Sequence, residues 1–177
     1  ADAFVPTLNG APVIAPLSGA FGAGGGDFTA AGSYLSFTPN MEFSFGTLDF
    51  TFECRFRLPS ATGLSRGLMT TASANGAAGV LLAVNGDGRL CGLIGQGGGT
   101  YNRVLSVDPV TTGEWHHAAF TYTGATNQLE LFLDGVSQGK VTRTVGAIGG
   151  PLPFHVCQYY TDLHDWPGRC HLDEVRF

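Results

Sequence analysis

The constraint that bears most on the fold is a strict two-residue alternation in the segment from Phe50 to Leu58. Its apolar positions are Phe52, Cys54, Phe56 and Leu58, and the charged positions between them are Glu53, Arg55 and Arg57. Successive side chains of a β-strand point to opposite faces, so a period of two predicts a strand with one buried face and one polar face. The polar face looks towards solvent or a groove.

Short strand-like runs recur from Tyr34 onward, with turn signals between them at intervals of about 8–12 residues. Further predicted strands cover Gly79–Val84, Arg89–Ile94, Trp115–Tyr122, Gln128–Leu133, Val136–Val141 and Arg169–Phe177. Asn85-Gly86-Asp87-Gly88 and Asp134-Gly135 are sequences typical of tight hairpin turns. No window keeps an apolar period of about 3.6 residues, so we expect almost no helix. The pattern predicts an all-β, antiparallel chain.

Length and composition favour one globular domain. The chain has 177 residues, of which 44% are hydrophobic and only 13% are charged. A chain of this length buries roughly 70% of the surface that its unfolded form exposes, so one core is sufficient. The formal net charge is −5, and the nine Lys and Arg residues form no basic stripe. Nucleic acids and anionic membrane surfaces require clustered cations, and no segment is long and apolar enough to insert into a membrane.

The first residues differ in composition from the rest. Residues 1–26 are rich in Ala, Pro and Gly and end in three consecutive glycines, so we interpret them as an irregular arm. Residues 27–177 form the predicted domain. No secretion signal, with its positive and apolar regions, is visible at the start of the sequence.

The four cysteines, Cys54, Cys91, Cys157 and Cys170, contain no Cys-x-x-Cys spacing, which disfavours a zinc ribbon. Cys157 and Cys170 flank a short loop and could staple it in an oxidising compartment. The alternative is that all four are small buried apolar residues.

Five blocks along the chain resemble one family of domains. They are Phe28–Ser36 (FTAAGSYLS), Gly46–Glu53 (GTLDFTFE), Gly113–Ala118 (GEWHHA), Leu129–Gly135 (LELFLDG) and Leu172–Arg176 (LDEVR). In their order and content they resemble the laminin-G-like domains of the concanavalin A-like lectin and glucanase superfamily. The resemblance implies a jelly-roll sandwich of two antiparallel sheets. It also implies a setting such as a carbohydrate-binding appendage, an adhesion domain, or a phage tail or surface protein.

The resemblance also implies a candidate calcium site near the junction of the first and last strands. Asp27 and Asp173 are the nearby carboxylates that could serve as ligands. Calcium takes six to eight oxygen ligands, so backbone carbonyls near Gly32 would have to complete the site. The alternative is that Asp173 caps or anchors the closing strand. The opening motif departs from the family at Thr29 and Ser33, where acidic residues are usual, and Arg55 stands where a tryptophan is usual.

Catalysis is disfavoured, and we predict that the chain is not an enzyme. Glycoside hydrolysis requires two carboxylates about 5–10 Å apart. Asp49 and Glu53 approach the glucanase pattern E-x-D-x-x-E, but its first Glu is missing. Arg55 and Arg57 follow on the same face, where pairing with Glu53 would favour the ionised carboxylate over a general acid. His116 and His117 are adjacent on a strand and point to opposite faces, so they cannot share one metal.

Two segments are candidate binding surfaces. In the C-terminal segment, Tyr159, Tyr160 and Trp166 could stack on a sugar ring, while Asp162, Asp165 and Arg169 could bond its hydroxyls. The alternative is that these rings pack over the edge of the sandwich. A transition-metal site drawn from His155, His164, Asp165 and His171 has no supporting spacing. In the glycine-rich loop 96–103, Tyr101, Asn102 and Arg103 could contact a ligand, or the loop is simply a flexible turn.

The sequence therefore favours a non-catalytic module that binds a glycan or a glycosylated surface, outside the cell or on a virion. The alternative is a structural or adhesion protein of a virion or cell surface, such as a phage capsid decoration or tail module. In that case residues 1–26 would dock onto a neighbouring subunit. A small glycoside hydrolase is the third hypothesis.

Overall fold

The computed structural model describes residues 4–16, 19–22, 24–60, 63–71, 78–97, 99–146, 151–160 and 165–177. Apart from a single 3-10 turn at Met41–Phe43, the regular elements of these residues are all strands. The strands are β1 (Thr7–Asn9), β2 (Val13–Pro16), β3 (Gly24–Asp27), β4 (Tyr34–Asn40), β5 (Phe50–Arg57), β6 (Arg66–Thr70), β7 (Ala78–Val84), β8 (Arg89–Gly97), β9 (Thr100–Pro109), β10 (Trp115–Thr123), β11 (Gln128–Leu133), β12 (Val136–Thr142), β13 (Leu152–Val156), β14 (Gln158–Tyr160), β15 (Asp165–Pro167) and β16 (His171–Arg176).

The strands form two seven-stranded antiparallel sheets and one short hairpin. The first sheet has the order β1-β4-β13-β6-β7-β8-β9, and the second has the order β12-β11-β10-β5-β16-β3-β2. The separate hairpin pairs β14 with β15. This confirms the predicted all-β jelly-roll sandwich. None of the described segments contains a helix of the length and apolarity needed to cross a membrane.

Phenylalanine rings fill the space between the two sheets. Phe43, Phe52, Phe56 and Phe120 are completely buried, and tilted or edge-on ring contacts link many of the phenylalanines into one cluster. Alternation along β5 places Phe50, Phe52, Cys54 and Phe56 on this inner side. At Gly92 on β8 a Cβ atom would overlap the Phe120 ring, so only glycine allows the sheets to close at this point.

The N-terminal residues are not the irregular arm that their composition predicts. β1 pairs with β4 at one edge of the first sheet, and β2 pairs with β3 at one edge of the second sheet. The segment therefore crosses between the two sheets. Its Ala, Pro and Gly residues carry no period of two, so the strands depend on hydrogen bonding to neighbouring edges, which local composition does not reveal. A domain boundary at residue 27 stays a prediction.

The closing strand departs from simple alternation at one residue. Asp173 pairs with Arg55, but the next paired residue is Arg176 with Glu53, so β16 carries one extra residue relative to β5. Glu174 occupies this β-bulge with φ of 51°. The shift moves Phe177 onto the inner side, where it contacts Phe43, Phe52 and Phe154.

A histidine and an aspartate tie β10 to the turn between β11 and β12. His116 is buried, and its Nδ1 lies 2.7 Å from Asp134 Oδ2, while its Nε2 lies 2.9 Å from Thr111 Oγ1. Asp134 Oδ1 also accepts a 2.7 Å hydrogen bond from the backbone N–H of His117. His117 points to the other face, as the sequence predicts. The hydrogen bonds between His116 and Asp134 therefore hold the Asp134-Gly135 turn against β10.

We expect Asp134→Asn to destabilise the fold by about 1 kcal/mol, a modest amount because half of the Asp134 side chain is exposed. Partial burial raises the pKa of Asp134, but hydrogen bonds from His116 and His117 and their charge outweigh it, so the pKa is lowered below the ordinary 3.8. A carboxyl with a lowered pKa stabilises the fold fully above its unfolded pKa and loses this contribution as pH falls through the folded one. Urea unfolding of both proteins from pH 7 to pH 2.5 should therefore show a difference that shrinks below about pH 4. A constant difference across this range would contradict the prediction.

Candidate functional site

The outward side of the second sheet carries a row of four aromatic or polar side chains, one from each of four neighbouring strands. Trp115 on β10 pairs with Arg57 on β5, Arg57 pairs with His171 on β16, and His171 pairs with Asp27 on β3. We call these four residues the outer row. Alternation sends Phe56 and Leu172 into the core, so their neighbours Arg57 and His171 face outward. Adjacent strands lie about 4.8 Å apart, so the row is about 14 Å long.

Neighbouring side chains of the outer row lie 3.9 to 6.5 Å apart. The guanidinium carbon of Arg57 lies 5.4 Å from the centre of the Trp115 ring, within the range of a cation–π interaction. The ring centres of Trp115 and His171 are 6.5 Å apart. His171 Nδ1 lies 3.9 Å from Asp27 Oδ1, which is too long for a hydrogen bond. The row thus combines a flat ring with a cation, an imidazole and a carboxylate.

The charges along the outer row follow from burial and neighbours. Burial lowers the pKa of His171, and the positive charge of Arg57 lowers it further, while the negative charge of Asp27 raises it. The pKa is lowered overall, so the imidazole is neutral at pH 7. Burial raises the pKa of Asp27, but hydrogen bonds from Thr29 and the charges of His171 and Arg57 outweigh it, so this carboxyl is ionised. The row therefore presents both a donor and an acceptor beside the indole.

A second group of charges lies next to the outer row. Glu53 Oε2 is 3.3 Å from His117 Nε2, and Glu53 Oε1 is 3.4 Å from an Arg176 nitrogen. The predicted pairing of Glu53 with Arg55 and Arg57 is therefore wrong. Residues i and i+2 of a strand lie almost 7 Å apart, whereas residues on neighbouring strands are closer. Arg55 instead stacks 4.4 Å from the ring centre of Phe21.

Neither arginine of β5 is committed to an ion pair. Across the residues that the structure describes, Arg55 and Arg57 make no ion pair or hydrogen bond, and both stack on aromatic rings. A stacked guanidinium is held in place while all of its N–H donors stay available. The outer face therefore has two guanidinium groups that pack on rings and whose donors are not taken up by other described residues.

The C-terminal candidates are only partly described. Tyr159 is buried, with 5% of its surface exposed, and it packs on Leu81 and Ala83 of the first sheet. Burial raises the pKa of its hydroxyl. The Tyr159 ring therefore packs over the sandwich, as the alternative interpretation predicted, and is not exposed for stacking on a ligand. Tyr160, Asp165 and Trp166 lie on the β14–β15 hairpin but their side chains are outside the described part, as is all of Asp162 and His164.

Arg169 follows the hairpin as an exposed residue with φ of 44°, and its carbonyl accepts a 2.6 Å hydrogen bond from the buried Arg66. The Arg66 guanidinium also donates to the carbonyls of Ser60 and Gly168, at 3.0 and 3.4 Å. Arg66 therefore holds the C-terminal segment onto the sandwich. Nothing in its sequence surroundings indicates this role, because a buried arginine within an apolar strand is identified only by its partners.

The candidates Tyr101, Asn102 and Arg103 belong to a strand, β9, and not to the predicted flexible loop. Asn102 Oδ1 accepts hydrogen bonds from the backbone N–H groups of Thr144 and Val145, at 2.8 and 3.0 Å. Its amide is therefore used to hold the segment that follows β12. Tyr101 is 47% exposed and the Arg103 guanidinium lies 5.9 Å from its ring centre, so these two side chains remain accessible at the sheet edge.

The carboxylates predicted to bind calcium are already hydrogen-bonded within the chain. Asp27 Oδ1 accepts bonds from the Thr29 backbone N–H and hydroxyl, at 2.9 and 2.7 Å. Asp173 accepts backbone N–H bonds from Ala20, Phe21 and Glu174, at 3.0, 3.2 and 2.9 Å. In the part of the chain that the structure describes, no group of three His, Cys, Asp or Glu side chains is placed to hold a metal ion. These contacts favour an anchoring role for Asp173, and calcium binding stays a prediction that they do not support.

We therefore expect calcium to leave the melting temperature unchanged. A ligand present at 100 times its Kd would stabilise the fold by about 2.7 kcal/mol, which is a rise of roughly 5–10 °C for a chain of this size. Thermal unfolding in millimolar calcium and again in chelator measures this directly. A calcium-dependent rise that Asp27→Asn removes would contradict the expectation and identify the site.

Comparisons with known proteins identify the family of the chain and structures that share its fold. A family model described as the concanavalin A-like lectin/glucanases superfamily matches residues 29–177. No curated protein matches the sequence. The carbohydrate-binding module CBM66 from Bacillus subtilis is 15% identical with a TM-score of 0.56, covering 96% of this chain and 92% of that one.

Two further solved structures are similar. Domain 4 of AbnA, an extracellular GH43 arabinanase from Geobacillus stearothermophilus in complex with arabinotriose, is 16% identical with a TM-score of 0.69, covering 94% of this chain and 74% of that one. A Bacteroides ovatus protein assigned to carbohydrate binding is 19% identical with a TM-score of 0.60 over 81% of this chain. The present chain spans only 40% of that protein. At these identities the likeness establishes the fold alone.

Proposed function

Because the chain belongs to the concanavalin A-like lectin/glucanases superfamily, we propose that it is a non-catalytic carbohydrate-binding module whose ligand lies along the outer row. The observation that carries the proposal is the partly exposed Trp115 ring with the Arg57 guanidinium 5.4 Å from its centre and Asp27 in the same row.

The chemistry of the outer row suits a polyhydroxylated ring. A sugar presents an apolar C–H surface that packs on a flat indole, and hydroxyls that both donate and accept hydrogen bonds. Arg57 offers donors and the ionised Asp27 offers acceptors, whereas the Nδ1 atom of His171 is buried, with no hydrogen-bond partner among the described residues. Binding sites commonly combine one aromatic surface with a few placed polar groups. The positive Arg57 and the negative Asp27 balance each other, so the row has no net charge that would select an acidic sugar over a neutral one.

Binding without catalysis is supported by the state of the carboxylates near the row. Glu53 is paired with His117 and Arg176. Asp49 Oδ1 accepts a 2.6 Å hydrogen bond from the Gly124 backbone N–H. A glycosidase needs one carboxyl that stays protonated as a general acid while the other is ionised. Two carboxylates that both hold donors are poorly suited to that division of roles.

An extracellular location fits this function. Domain 4 of the Geobacillus arabinanase belongs to an extracellular enzyme and is in complex with arabinotriose. By analogy, we propose that the present chain also meets its glycan outside the cell. The sequence candidates Tyr160, Asp162, Asp165, Trp166 and Arg169 stay predictions of a second contact surface.

The proposal is tested with the isolated chain on an array of neutral and acidic oligosaccharides, followed by titration calorimetry of each hit. We expect at least one neutral oligosaccharide to bind with a Kd between about 1 μM and 1 mM. Incubation of each hit with the protein should release no reducing sugar. The absence of binding to every array member would overturn the proposal, and release of reducing sugar would replace it with a hydrolase.

A specific observation favours adhesion to a protein partner as a second candidate. Six exposed large apolar side chains lie within the first 21 residues, namely Phe4, Val5, Leu8, Val13, Ile14 and Phe21. This supports a protein contact through residues 1–26, as expected for a module of a cell-surface or virion assembly. Light scattering of the wild type and of Val5→Asp/Ile14→Asp tests it, because a self-associating chain should become monomeric. A wild type that is already monomeric at high concentration would exclude self-assembly.

A further inference from the structure

Two buried sulfur atoms meet where the two sheets are joined at one side of the sandwich. Cys157 follows β13 of the first sheet, and Cys170 precedes β16 of the second. Their Sγ atoms lie 2.8 Å apart, and both residues are completely buried. The S–S bond of a disulfide is about 2.0 Å long, so a small rotation of either side chain would bring the sulfurs to bonding distance.

The backbone fixes both cysteines where the sulfurs face each other. Cys157 donates its N–H to Leu68 O at 2.8 Å and accepts from Gly168 N at 2.7 Å, while Cys170 O accepts from Phe28 N at 2.9 Å. A Cβ atom at position 168 would overlap Cys157 Sγ, so glycine is required for the chain to close over the pair. The close approach is thus held by both sheets and does not depend on the sulfurs alone.

We propose that Cys157 and Cys170 form a disulfide that covalently joins the two sheets. The bond spans 13 positions of sequence and encloses the whole β14–β15 hairpin. It therefore ties the base of the hairpin to the residue that immediately precedes His171 of the outer row. The bond is independent of the proposed ligand.

The bond forms by exchange with an oxidant of the disulfide class, such as glutathione disulfide. One cysteine, as its thiolate, attacks the oxidant and forms a mixed disulfide, which releases one glutathione thiolate. The other cysteine thiolate then attacks the protein sulfur of the mixed disulfide and releases the second glutathione. The two cysteines lose two electrons and two protons, and the oxidant is reduced to two thiols. Both cysteines are buried in the folded chain, so exchange takes place while the chain is folding.

Two other cysteines provide controls. Cys54 is buried in the same core cluster, and Cys91 is buried on β8 in the first sheet. Burial raises the pKa of the Cys91 thiol to about 12, so it is unreactive in the folded state. Cys91→Ser therefore removes a thiol without touching the proposed bond.

The test is to refold the full chain in a glutathione redox buffer, unfold it, alkylate its free thiols and map the peptides. We expect two alkylated cysteines of the four, and a linked peptide pair containing Cys157 and Cys170. Cys91→Ser should retain the linked pair with one alkylated thiol, whereas Cys157→Ser should lose it. Reduction should lower the melting temperature of the wild type by about 6–12 °C, because a cross-link closing a loop of this size restricts the unfolded chain. Four alkylated thiols after oxidative refolding, or a link through Cys54, would overturn the proposal even if the Cys157→Ser variant fails to fold.

Discussion

Replacing Trp115 with alanine is expected to weaken binding of the best oligosaccharide by about 30-fold or more, which corresponds to about 2 kcal/mol. The indole provides the flat surface of the outer row and supports the Arg57 guanidinium 5.4 Å from its centre. Its removal deletes the stacking surface and releases the arginine at the same time. Titration calorimetry of wild type and variant measures the loss, and the melting temperature of the variant reports whether the fold is retained.

Tyr101→Ala provides the matched control for this experiment. Tyr101 is an exposed aromatic residue that also lies beside an arginine, but it belongs to the edge strand β9 of the other sheet. Its loss should leave the Kd unchanged if the ligand lies on the outer row. Trp115→Phe should recover part of the affinity because a ring remains. Retained binding in Trp115→Ala together with lost binding in Tyr101→Ala would move the site to the edge strand.

Replacing Arg66 with methionine should destabilise the fold by about 3 kcal/mol and lower the melting temperature by roughly 6–12 °C. Methionine retains most of the apolar stem but has no donors. The carbonyls of Ser60, Gly168 and Arg169 would then lose their shared guanidinium partner, which lies 2.6 to 3.4 Å from them. An unsatisfied buried carbonyl costs about 1–3 kcal/mol, which applies to the buried Gly168 contact, and the two partly buried contacts to Ser60 and Arg169 add smaller losses.

Arg89→Met is the control for Arg66. Arg89 also lies in the first sheet, but its side chain is 44% exposed and its ion pair with Asp87 is 3.9 Å long. Exposed pairs of this kind contribute about 0–1 kcal/mol, so the melting temperature should change little. The free energy of unfolding of both variants is measured in urea. Equal destabilisation would show that loss of one positive charge, and not loss of the three carbonyl contacts, explains the effect of Arg66→Met.

The strands with a clear period of two are those that local sequence could predict. β5, the β7–β8 hairpin and β11 lie within a few residues of their predicted bounds, since alternation and turn residues act over short distances. β1 and β2 were not predictable in this way. Their sequences lack alternation, and each lies on the edge of a different sheet. Strand formation there depends on a partner that is distant in sequence.

The candidate site shows the same division. Alternation placed Glu53, Arg55 and Arg57 on one outward face, and this is confirmed by the burial of the residues between them. Their partners could not be predicted, because they lie on strands more than 50 residues further along the chain or, for Arg55, at Phe21 before β3. Trp115 was recognised only as part of a strand motif. Alternation shows only that Trp115 and His116 point to opposite faces, so which of them faces outward is known from the structure.

The amino-acid sequence by itself determined the all-β class, the main strands, the hairpin turns and the inward or outward direction of most β5 side chains. These properties follow from backbone geometry that repeats every two residues. Only the tertiary structure decided which outward side chains lie side by side and that Tyr159 is buried. Strand register and sheet packing bring together residues that are far apart in sequence, and no local pattern encodes that proximity.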